Sequence, residues 1–357
     1  MRALERTEVL VLGLGPAGAS AAAEAARRGS RVVALDRKRE PGLPVQCAEF
    51  VPAMIGIDVG EIAASVRQPI RAMATFIEDD APDLKENFPG HMLDRAAFDR
   101  TLAEAAMRAG ARCRFGARVR RVTHEGLVEL SDGRAIAAKV VIGADGPRSL
   151  AGQAIGRINT EHVETRQITV PLPSPYEATD IFLSCGIPGG YGWLFPKGEV
   201  ANLGAGVDSA HRHRLKRIVA DLHAALVRSG RVGRKILGLT GGLIPVGGML
   251  EPVAMAGETL VLLAGDAAGL TNPVTGAGIA AAVHSGRLAG SAAAAHAAGN
   301  AAAAADYENE MESLFKAALD RAARRRAELA AMLERRAIPG KAALRRSWIA
   351  YPEYWAA

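Results

Sequence analysis

The stretch "EVLVLGLGPAGASAAAEAARRGSRVVALDRK", residues 8–38, decides the fold. An apolar run leads into three glycines spaced G-x-G-x-x-G, a helical pattern follows, and a second apolar run ends at Asp36. The first glycine of such a motif allows a tight turn, the second lets the backbone approach a pyrophosphate, and the third lets the helix pack closely on the strand. The residues predicted to hold a dinucleotide here are Gly13, Gly15, Pro16, Ala17, Gly18, Asp36 and Arg37.

The helix that follows this turn supplies the electrostatic part of the prediction. Its first N–H groups and its dipole favour the negative charge of a phosphate. Pro16 suits the first helical turn, where its missing N–H is not needed. Asp36, at the end of the second strand, is placed to accept a hydrogen bond from a ribose hydroxyl. This pattern predicts dinucleotide binding but leaves FAD and NAD open.

Two later strand–turn motifs favour FAD. "VVIGADG" ends in Asp145-Gly146 and "LVLLAGD" ends in Gly265-Asp266. They resemble the DG and GD motifs of flavoproteins related to para-hydroxybenzoate hydroxylase. In that superfamily the GD aspartate binds the ribityl and diphosphate region of FAD, and the turn after it meets the isoalloxazine ring. The resemblance implies FAD contacts at Arg95, Val119, Asp145, Gly146, Gly265, Asp266, Pro273, Gly276, Ala277, Gly278 and Ile279.

Two further points concern the cofactor. Arg95 has an alternative reading, a solvated residue at a helix start that is capped by Asp94. The chain holds no second strand-GxGxxG-helix unit, so no separate NADPH domain is expected. FAD would stay bound through turnover, and a transient donor, NAD(P)H, would supply the reducing equivalents.

"GGYGWLFP", residues 189–196, narrows the family. It resembles the YxWxFP signature of the geranylgeranyl reductase family, flavoproteins that saturate isoprenoid double bonds. Strand alternation puts Tyr191, Trp193 and Phe195 on one face, where they and Pro196 would line a pocket for an apolar chain. The alternative is an ordinary aromatic core face.

The same family places a cysteine after the second strand, and Cys47 in "PVQCAEF" matches it. The family's usual next residue is glycine, whereas this chain has Ala48 followed by Glu49. The resemblance implies a functional role for Cys47, either as a catalytic proton donor or as part of the wall of the pocket. Glu49 is the alternative catalytic proton carrier. A buried structural thiol is the other reading of Cys47. Cys113 and Cys185 are assigned to structure.

Together these motifs predict an α/β fold with a Rossmann-like FAD-binding domain, an inserted antiparallel β-sheet substrate domain and a short C-terminal helical tail. The FAD-binding domain is predicted over residues 1–70, 91–157 and 252–310, the substrate domain over 71–90 and 158–251, and the helical tail over 311–357. We predict no metal site, because His211, His213 and His223 fall on different faces of one helix.

The amino-acid composition limits the classes of protein to which this chain can belong. The chain has 357 residues, of which 49% are hydrophobic and 23% charged, as in globular proteins. Its three cysteines form neither a CxxC pair nor a disulfide ladder, which favours a reducing, cytoplasmic location. No apolar run reaches the length of about 18 residues that a transmembrane helix needs, and Glu5 and Glu8 argue against a signal peptide.

The net charge of +6 is concentrated in one C-terminal segment. Between Lys316 and Arg346, ten Lys or Arg residues stand against three Asp or Glu residues. A solvated helix face is one reading. The other is peripheral contact with an anionic membrane surface, because four leucines lie among the arginines: Leu314, Leu319, Leu329 and Leu333. Nucleic-acid binding is not expected, because no aromatic platform accompanies the charge, and the oligomeric state is not predicted.

The function expected from the sequence is that of an FAD-dependent oxidoreductase. The leading hypothesis is reduction of carbon–carbon double bonds in an isoprenoid or similar apolar lipid, by hydride transfer from flavin N5. The alternative is an FAD-dependent monooxygenase that hydroxylates an aromatic or electron-rich substrate through a flavin hydroperoxide. A third class, a non-catalytic FAD-binding protein, predicts a flavin that no donor can reduce.

Overall fold

A computed structural model describes residues 4–53, 63–335 and 338–356, without the side chains of residues 333 and 334. The strands are β1 (Leu4–Leu12), β2 (Val32–Asp36), β3 (Phe50–Pro52), β4 (Val66–Ile70), β5 (Ala72–Ile77), β6 (Asp83–Lys85), β7 (Gly90–Leu93), β8 (Arg112–Phe115), β9 (Val119–Val122), β10 (Val128–Leu130), β11 (Ala135–Gly143), β12 (His162–Pro171), β13 (Ala178–Leu183), β14 (Gly192–Lys197), β15 (Val200–Asp208), β16 (Gly238–Thr240), β17 (Leu243–Pro245), β18 (Val253–Ala256) and β19 (Thr259–Leu263). The α-helices are α1 (Pro16–Arg27), α2 (Arg95–Arg108), α3 (Leu150–Ala154), α4 (Leu215–Arg228), α5 (Ile279–Ala297), α6 (Ala303–Met311), α7 (Ala317–Glu334), α8 (Lys341–Arg346) and α9 (Pro352–Trp355).

The first sheet brings the distant glycine turns together. Its strand order is β18-β19-β11-β1-β2-β8, with β10 and β9 added beside β11, and the strands from β19 to β8 are parallel. Leu12 pairs with Gly143, and Gly143 pairs with Leu263, so β1, β11 and β19 end at the same edge. Their apolar runs are buried on both faces, as expected for a parallel sheet covered by helices.

Helices α1 and α5 cover one face of this sheet and pack unusually closely. A Cβ atom on Gly286 would overlap the carbonyl oxygen of Ala17, and one on Gly290 would overlap that of Ala21. The alanines and glycines of α5 therefore serve close helix packing in the core.

Within the described ranges, no helix combines the length and the apolarity that crossing a bilayer requires.

The second sheet has the order β16-β12-β15-β14-β13-β5-β6, with β17 also paired to β12. Helix α4 packs on one face through Leu215, Val219 and Leu226. The sheet departs from the expected antiparallel pattern at one place, where β13 runs parallel to β5. No hairpin joins these two strands, which are about 100 residues apart, so the connection does not fix their relative direction.

A small third sheet, β3-β7-β4, was not predicted from the sequence. Except for Gly90, it lies within the segments assigned to the FAD-binding domain, next to the predicted substrate segment 71–90. The domain boundaries stay a prediction. The fold class, a Rossmann-like FAD-binding domain with an inserted sheet domain and a helical tail, is confirmed.

The helical tail packs back onto the second sheet. Arg325 donates hydrogen bonds to the carbonyl oxygens of Tyr354 and Ala356, and Arg326 pairs with Asp208 at the end of β15. Leu344, Trp348 and Tyr351 join an apolar cluster that includes Trp193 of β14. Part of the basic charge of this segment is therefore used in holding the tail in place.

Candidate active site

A cavity of about 1280 Å³ lies between the common edge of β1, β11 and β19 and the second sheet. This volume exceeds the roughly 300–1,000 Å³ of a pocket for one small ligand. The glycine turns line one part, and the aromatic side chains of β14 line another. The cavity can therefore hold a dinucleotide and an apolar substrate together.

Each of the three glycines after β1 is required at its position for a different structural reason. Gly13 has a φ of +91°, and a Cβ there would overlap the carbonyl oxygen of Ala144. A Cβ on Gly18 would overlap the carbonyl oxygen of Gly13. A Cβ on Gly15, by contrast, would meet no protein atom within 4 Å, because this residue faces the cavity. Gly13 and Gly18 are needed by the fold, whereas Gly15 leaves room for a ligand.

Two helices point their N-termini at this cavity. Helix α1 begins after Gly15 and helix α5 begins after Gly278, and in the part of the chain described, neither start carries a side-chain cap. Such free N–H groups need partners, and the helix dipoles favour negative charge there. A diphosphate at α1 and a reduced flavin ring at α5 would both supply it. The residues present therefore fit FAD.

Three acidic residues stabilise the turns that are predicted to contact the cofactor. Asp36 accepts hydrogen bonds from the backbone N–H groups of Leu14 and Lys38, at 2.8 and 2.7 Å. Asp266 accepts one from the Thr271 hydroxyl at 2.9 Å. Burial raises the pKa of the Asp266 carboxyl above its ordinary value, and the nearby Arg95 cation partly offsets this effect. Asp145 likewise caps its own turn, at Leu150 and the Ser149 hydroxyl.

Most of the predicted cofactor residues line the cavity. Those that do are Gly13, Gly15, Pro16, Ala17, Asp36, Arg37, Arg95, Val119, Asp145, Gly146, Asp266, Gly276, Ala277, Gly278 and Ile279. Gly18, Gly265 and Pro273 are not among the lining residues. Arg118, Arg120 and Arg148 also line it. Arg148 belongs to the turn that resembles the DG motif, whereas sequence reasoning missed Arg118 and Arg120 because no motif marks them.

The aromatic side chains of the YxWxFP motif form one wall. Tyr191, Trp193 and Phe195 line the cavity, with ring centroids of neighbours 5.8 and 6.3 Å apart, while Pro196 is not a lining residue. The Tyr191 hydroxyl donates to the carbonyl oxygen of Thr275 at 2.6 Å, which ties this wall to the turn before α5. Trp348 completes the wall, with its ring centroid 4.8 Å from that of Tyr191, and it was not predicted from the sequence.

Cys47 lines the cavity beside a buried cation. The Arg95 guanidinium lies next to the thiol and forms a two-pronged ion pair with Asp99, at 3.0 and 3.2 Å. Burial lowers the pKa of Arg95, but Cys47 and Asp99 together raise it above its ordinary value. Asp94 caps α2 as expected, through Ala97, yet Arg95 is only 14% exposed. Arg95 thus points into the site.

Glu49 is buried, and its carboxylate has three donors. Oε2 accepts from Lys197 Nζ at 2.6 Å and from Asn202 Nδ2 at 2.9 Å, and Oε1 accepts from the Arg95 backbone N–H at 3.1 Å. The Glu49 N–H in turn donates to the Cys47 sulfur at 3.1 Å. Its φ of +69° is strained for a residue other than glycine. These contacts fix the shape of residues 45–49, here called the cysteine loop.

Gln167 of β12 connects this loop to the aromatic wall. Its Nε2 donates to the Cys47 carbonyl oxygen at 3.2 Å, and its Oε1 accepts from the Trp193 indole N–H at 3.0 Å. Sequence reasoning missed Gln167, Lys197 and Asn202. Each lies more than 100 residues from the loop, and single polar residues in strands carry no local signal.

The remaining cysteines and the histidines are not among the residues that line the cavity. Cys113 and Cys185 are not lining residues, and burial raises the pKa of Cys113 to about 11. His211 and His213 fall in a 3-10 helix, Ser209–Arg214, that precedes α4, so the expectation that they share one helix with His223 was wrong. Among the described residues, no group of three or more His, Cys, Asp or Glu could hold a metal ion.

Replacing Gly15 with valine should leave a folded protein without FAD. The added side chain would enter the cavity rather than strike the protein, and the backbone φ of −71° suits valine. Flavin absorbance of the purified protein and its circular dichroism would be measured together. Gly15→Ala is the graded control and should retain part of the flavin. A yellow Gly15→Val protein would contradict this assignment.

Replacing Glu49 with glutamine should lower the free energy of unfolding by about 3 kcal/mol, because Lys197 would keep a largely buried charge without its partner. The second replacement, Lys197→Met, should restore part of that loss in the double variant. Asp320→Asn, which breaks an exposed pair with Lys316, is the matched control and should cost less than about 0.5 kcal/mol. Denaturant unfolding would measure all four proteins, and equal losses at both pairs would argue against a buried network.

Comparison with known proteins identifies the family of this chain. The FAD binding domain family model matches residues 6–175. Digeranylgeranylglycerophospholipid reductase of Methanosarcina acetivorans is 34% identical over 304 residues, which are 79% of this chain and 74% of that protein. The Methanopyrus kandleri digeranylgeranylglycerophospholipid reductase 1 is 34% identical over 305 residues, 79% of each chain.

Solved structures agree with this result. The geranylgeranyl bacteriochlorophyll reductase-like protein of Thermoplasma acidophilum superposes with a TM-score of 0.80 at 25% identity, covering 99% of this chain and 98% of that one. A probable FAD-dependent monooxygenase from Pseudomonas aeruginosa gives 0.69 at 19% identity, with 91% and 97% covered, and shares the fold alone. The chain therefore belongs to the geranylgeranyl reductase family of FAD-dependent oxidoreductases.

Proposed function

We propose that this protein reduces carbon–carbon double bonds in the isoprenoid chain of a lipid. One observation carries the proposal: a single cavity joins the FAD-binding turns to an aromatic wall that includes Tyr191, and Cys47 lines this cavity beside Arg95. The names of the relatives support a lipid substrate, since they are reductases of digeranylgeranylglycerophospholipid. FAD would supply the hydride, and NAD(P)H is the proposed transient donor.

The aromatic wall would bind and align the apolar chain. Tyr191, Trp193, Phe195 and Trp348 offer flat apolar surface, and Ile349 lies beside them in the lining. Contact with such a wall removes the isoprenoid from water and fixes which double bond lies near the cofactor.

Cys47 is the proposed proton donor to the second carbon of the double bond. An unactivated alkene accepts hydride poorly, so a proton must be delivered to the other carbon. The Cys47 thiol would release its proton from Sγ, and the thiolate that remains would be stabilised by the Arg95 guanidinium. The site already holds this cation within a buried ion pair with Asp99.

Glu49 is better suited to positioning than to proton transfer. Its two oxygens are already engaged by Lys197, Asn202 and the Arg95 backbone. Through its own N–H it holds the sulfur of Cys47. We therefore assign the proton to Cys47 and the geometry of the loop to Glu49.

The reaction type is tested by the mass of the product. The purified holoprotein, reduced chemically, would be incubated with a geranylgeranyl lipid with and without oxygen, and the lipids followed by mass spectrometry. A gain of two hydrogens without oxygen is the expected result. A gain of one oxygen atom, only when oxygen is present, would make the protein a monooxygenase and would refute the proposal.

Replacing Cys47 with alanine should slow lipid reduction by roughly a hundredfold, the usual contribution of general acid catalysis. FAD should stay bound, and reduction of the flavin by its donor should proceed at the normal rate. Cys113→Ala is the matched control, because Cys113 is not a lining residue, and it should reduce lipid normally. Separate rates would be measured for the flavin and for the lipid. Unchanged lipid reduction in Cys47→Ala would return Cys47 to a structural role.

A further inference from the structure

Three large apolar side chains are exposed together before and within β16. Ile236, Leu237 and Leu239 are 55%, 48% and 60% exposed. The other large apolar side chains that are exposed in the described ranges stand singly along the chain. Single exposed apolar residues are normal, whereas a group of them marks a surface that contacts something. We call residues 234–239 the docking segment.

The docking segment is also positively charged. Arg234 and Lys235 begin it, both are exposed, and within the described part of the chain neither forms an ion pair. No acidic residue occurs between Asp221 and Glu251. The nearby Arg231 differs, because its charge is paired with Asp180 at 2.6 Å. Free cations beside exposed aliphatic side chains match an anionic, apolar partner.

The docking segment leads directly into the cavity. In β16, Leu239 pairs with Ile168 and Thr240 pairs with Gln167, so neighbouring side chains point to opposite faces of the sheet. The Thr240 hydroxyl donates to the carbonyl oxygen of Val45 at 2.6 Å, in the cysteine loop. Thr240, Gly241 and Gly242 are lining residues of the cavity. The exposed apolar surface therefore adjoins the margin of the site itself.

We infer that the docking segment inserts into the surface of an anionic lipid bilayer. Its aliphatic side chains would enter the boundary between headgroups and acyl chains, while Arg234 and Lys235 meet lipid phosphates. A lipid could then pass from the bilayer into the cavity without crossing water. This last step rests on the proposed function, whereas membrane binding itself does not.

Two other arrangements fit the structure less well. A second copy docked through the same patch would bring equal charges together, because a twofold contact pairs like surfaces. The leucines of the C-terminal segment offer less apolar surface than the sequence suggests: Leu319 is buried, Leu329 packs on the apolar cluster of Trp348, and Leu314 is exposed. Met332, Ile338 and Trp355 are also exposed there, but they stand apart from one another along the chain. Leu333 lies outside the described side chains.

The test is sedimentation of the FAD-loaded protein with vesicles of phosphatidylcholine, with or without about 30% phosphatidylglycerol. The wild-type protein should pellet with the anionic vesicles. The triple variant Ile236→Ser, Leu237→Ser, Leu239→Ser should partition roughly tenfold less. Arg234→Glu with Lys235→Glu should abolish the preference for anionic lipid. The matched control replaces three scattered exposed side chains, Leu84, Ile158 and Met255, with serine and should bind as the wild type does.

The outcomes separate this inference from the proposed function. Three results would overturn the inference. The triple variant could bind as well as the wild type, the wild type could fail to bind, or binding could be lost in the double variant Leu314→Ser, Met332→Ser rather than in the triple variant. A wild-type dimer that the triple variant converts to a monomer, without vesicle binding, would assign the patch to a second copy. On detergent-dispersed lipid the triple variant should turn over normally. If the wild type reduces no lipid in any form but still binds vesicles, the proposed function fails and the docking segment stands.

Discussion

The close contact between α1 and α5 is the constraint on which the site depends. Gly286 and Gly290 let α5 lie directly on the backbone of α1 at Ala17 and Ala21. This contact sets both helix N-termini at one cavity, although they are more than 250 residues apart in sequence. A larger residue at either glycine would separate the helices. The diphosphate position and the flavin-ring position would then no longer belong to one cofactor.

The second sheet acts on the chemistry through the cysteine loop. Lys197, Asn202 and Gln167 lie on three neighbouring strands, and each donates a hydrogen bond to the loop that carries Cys47. Gln167 also holds Trp193, so the residue proposed to deliver a proton and the wall proposed to hold the lipid share one hydrogen-bonded network. Networks of this kind hold catalytic groups within narrow limits. Fixed geometry of the loop is therefore what the sheet contributes.

The sequence predicted the parts whose physical reasons are local. The glycine spacing after β1 identifies a turn and a helix start because both depend on neighbouring residues. Arg95 could be named only through family resemblance, and its contact with Cys47 depends on α2 and the loop meeting in space. Trp348 could not be predicted, because it reaches the cavity from the far end of the chain. The exposure of Ile236, Leu237 and Leu239 could not be predicted either, because a short apolar run in a sequence usually indicates a buried strand.

The two uncapped helix starts also bear on the life of the protein in the cell. They point the positive ends of two dipoles into one cavity, and FAD supplies the negative charge that relieves their repulsion. A ligand that binds only the folded state stabilises it in proportion to the logarithm of its concentration. Flavin supply should therefore set how long each newly made chain survives proteolysis. A cell short of riboflavin would lose this enzyme by degradation as well as by lack of cofactor.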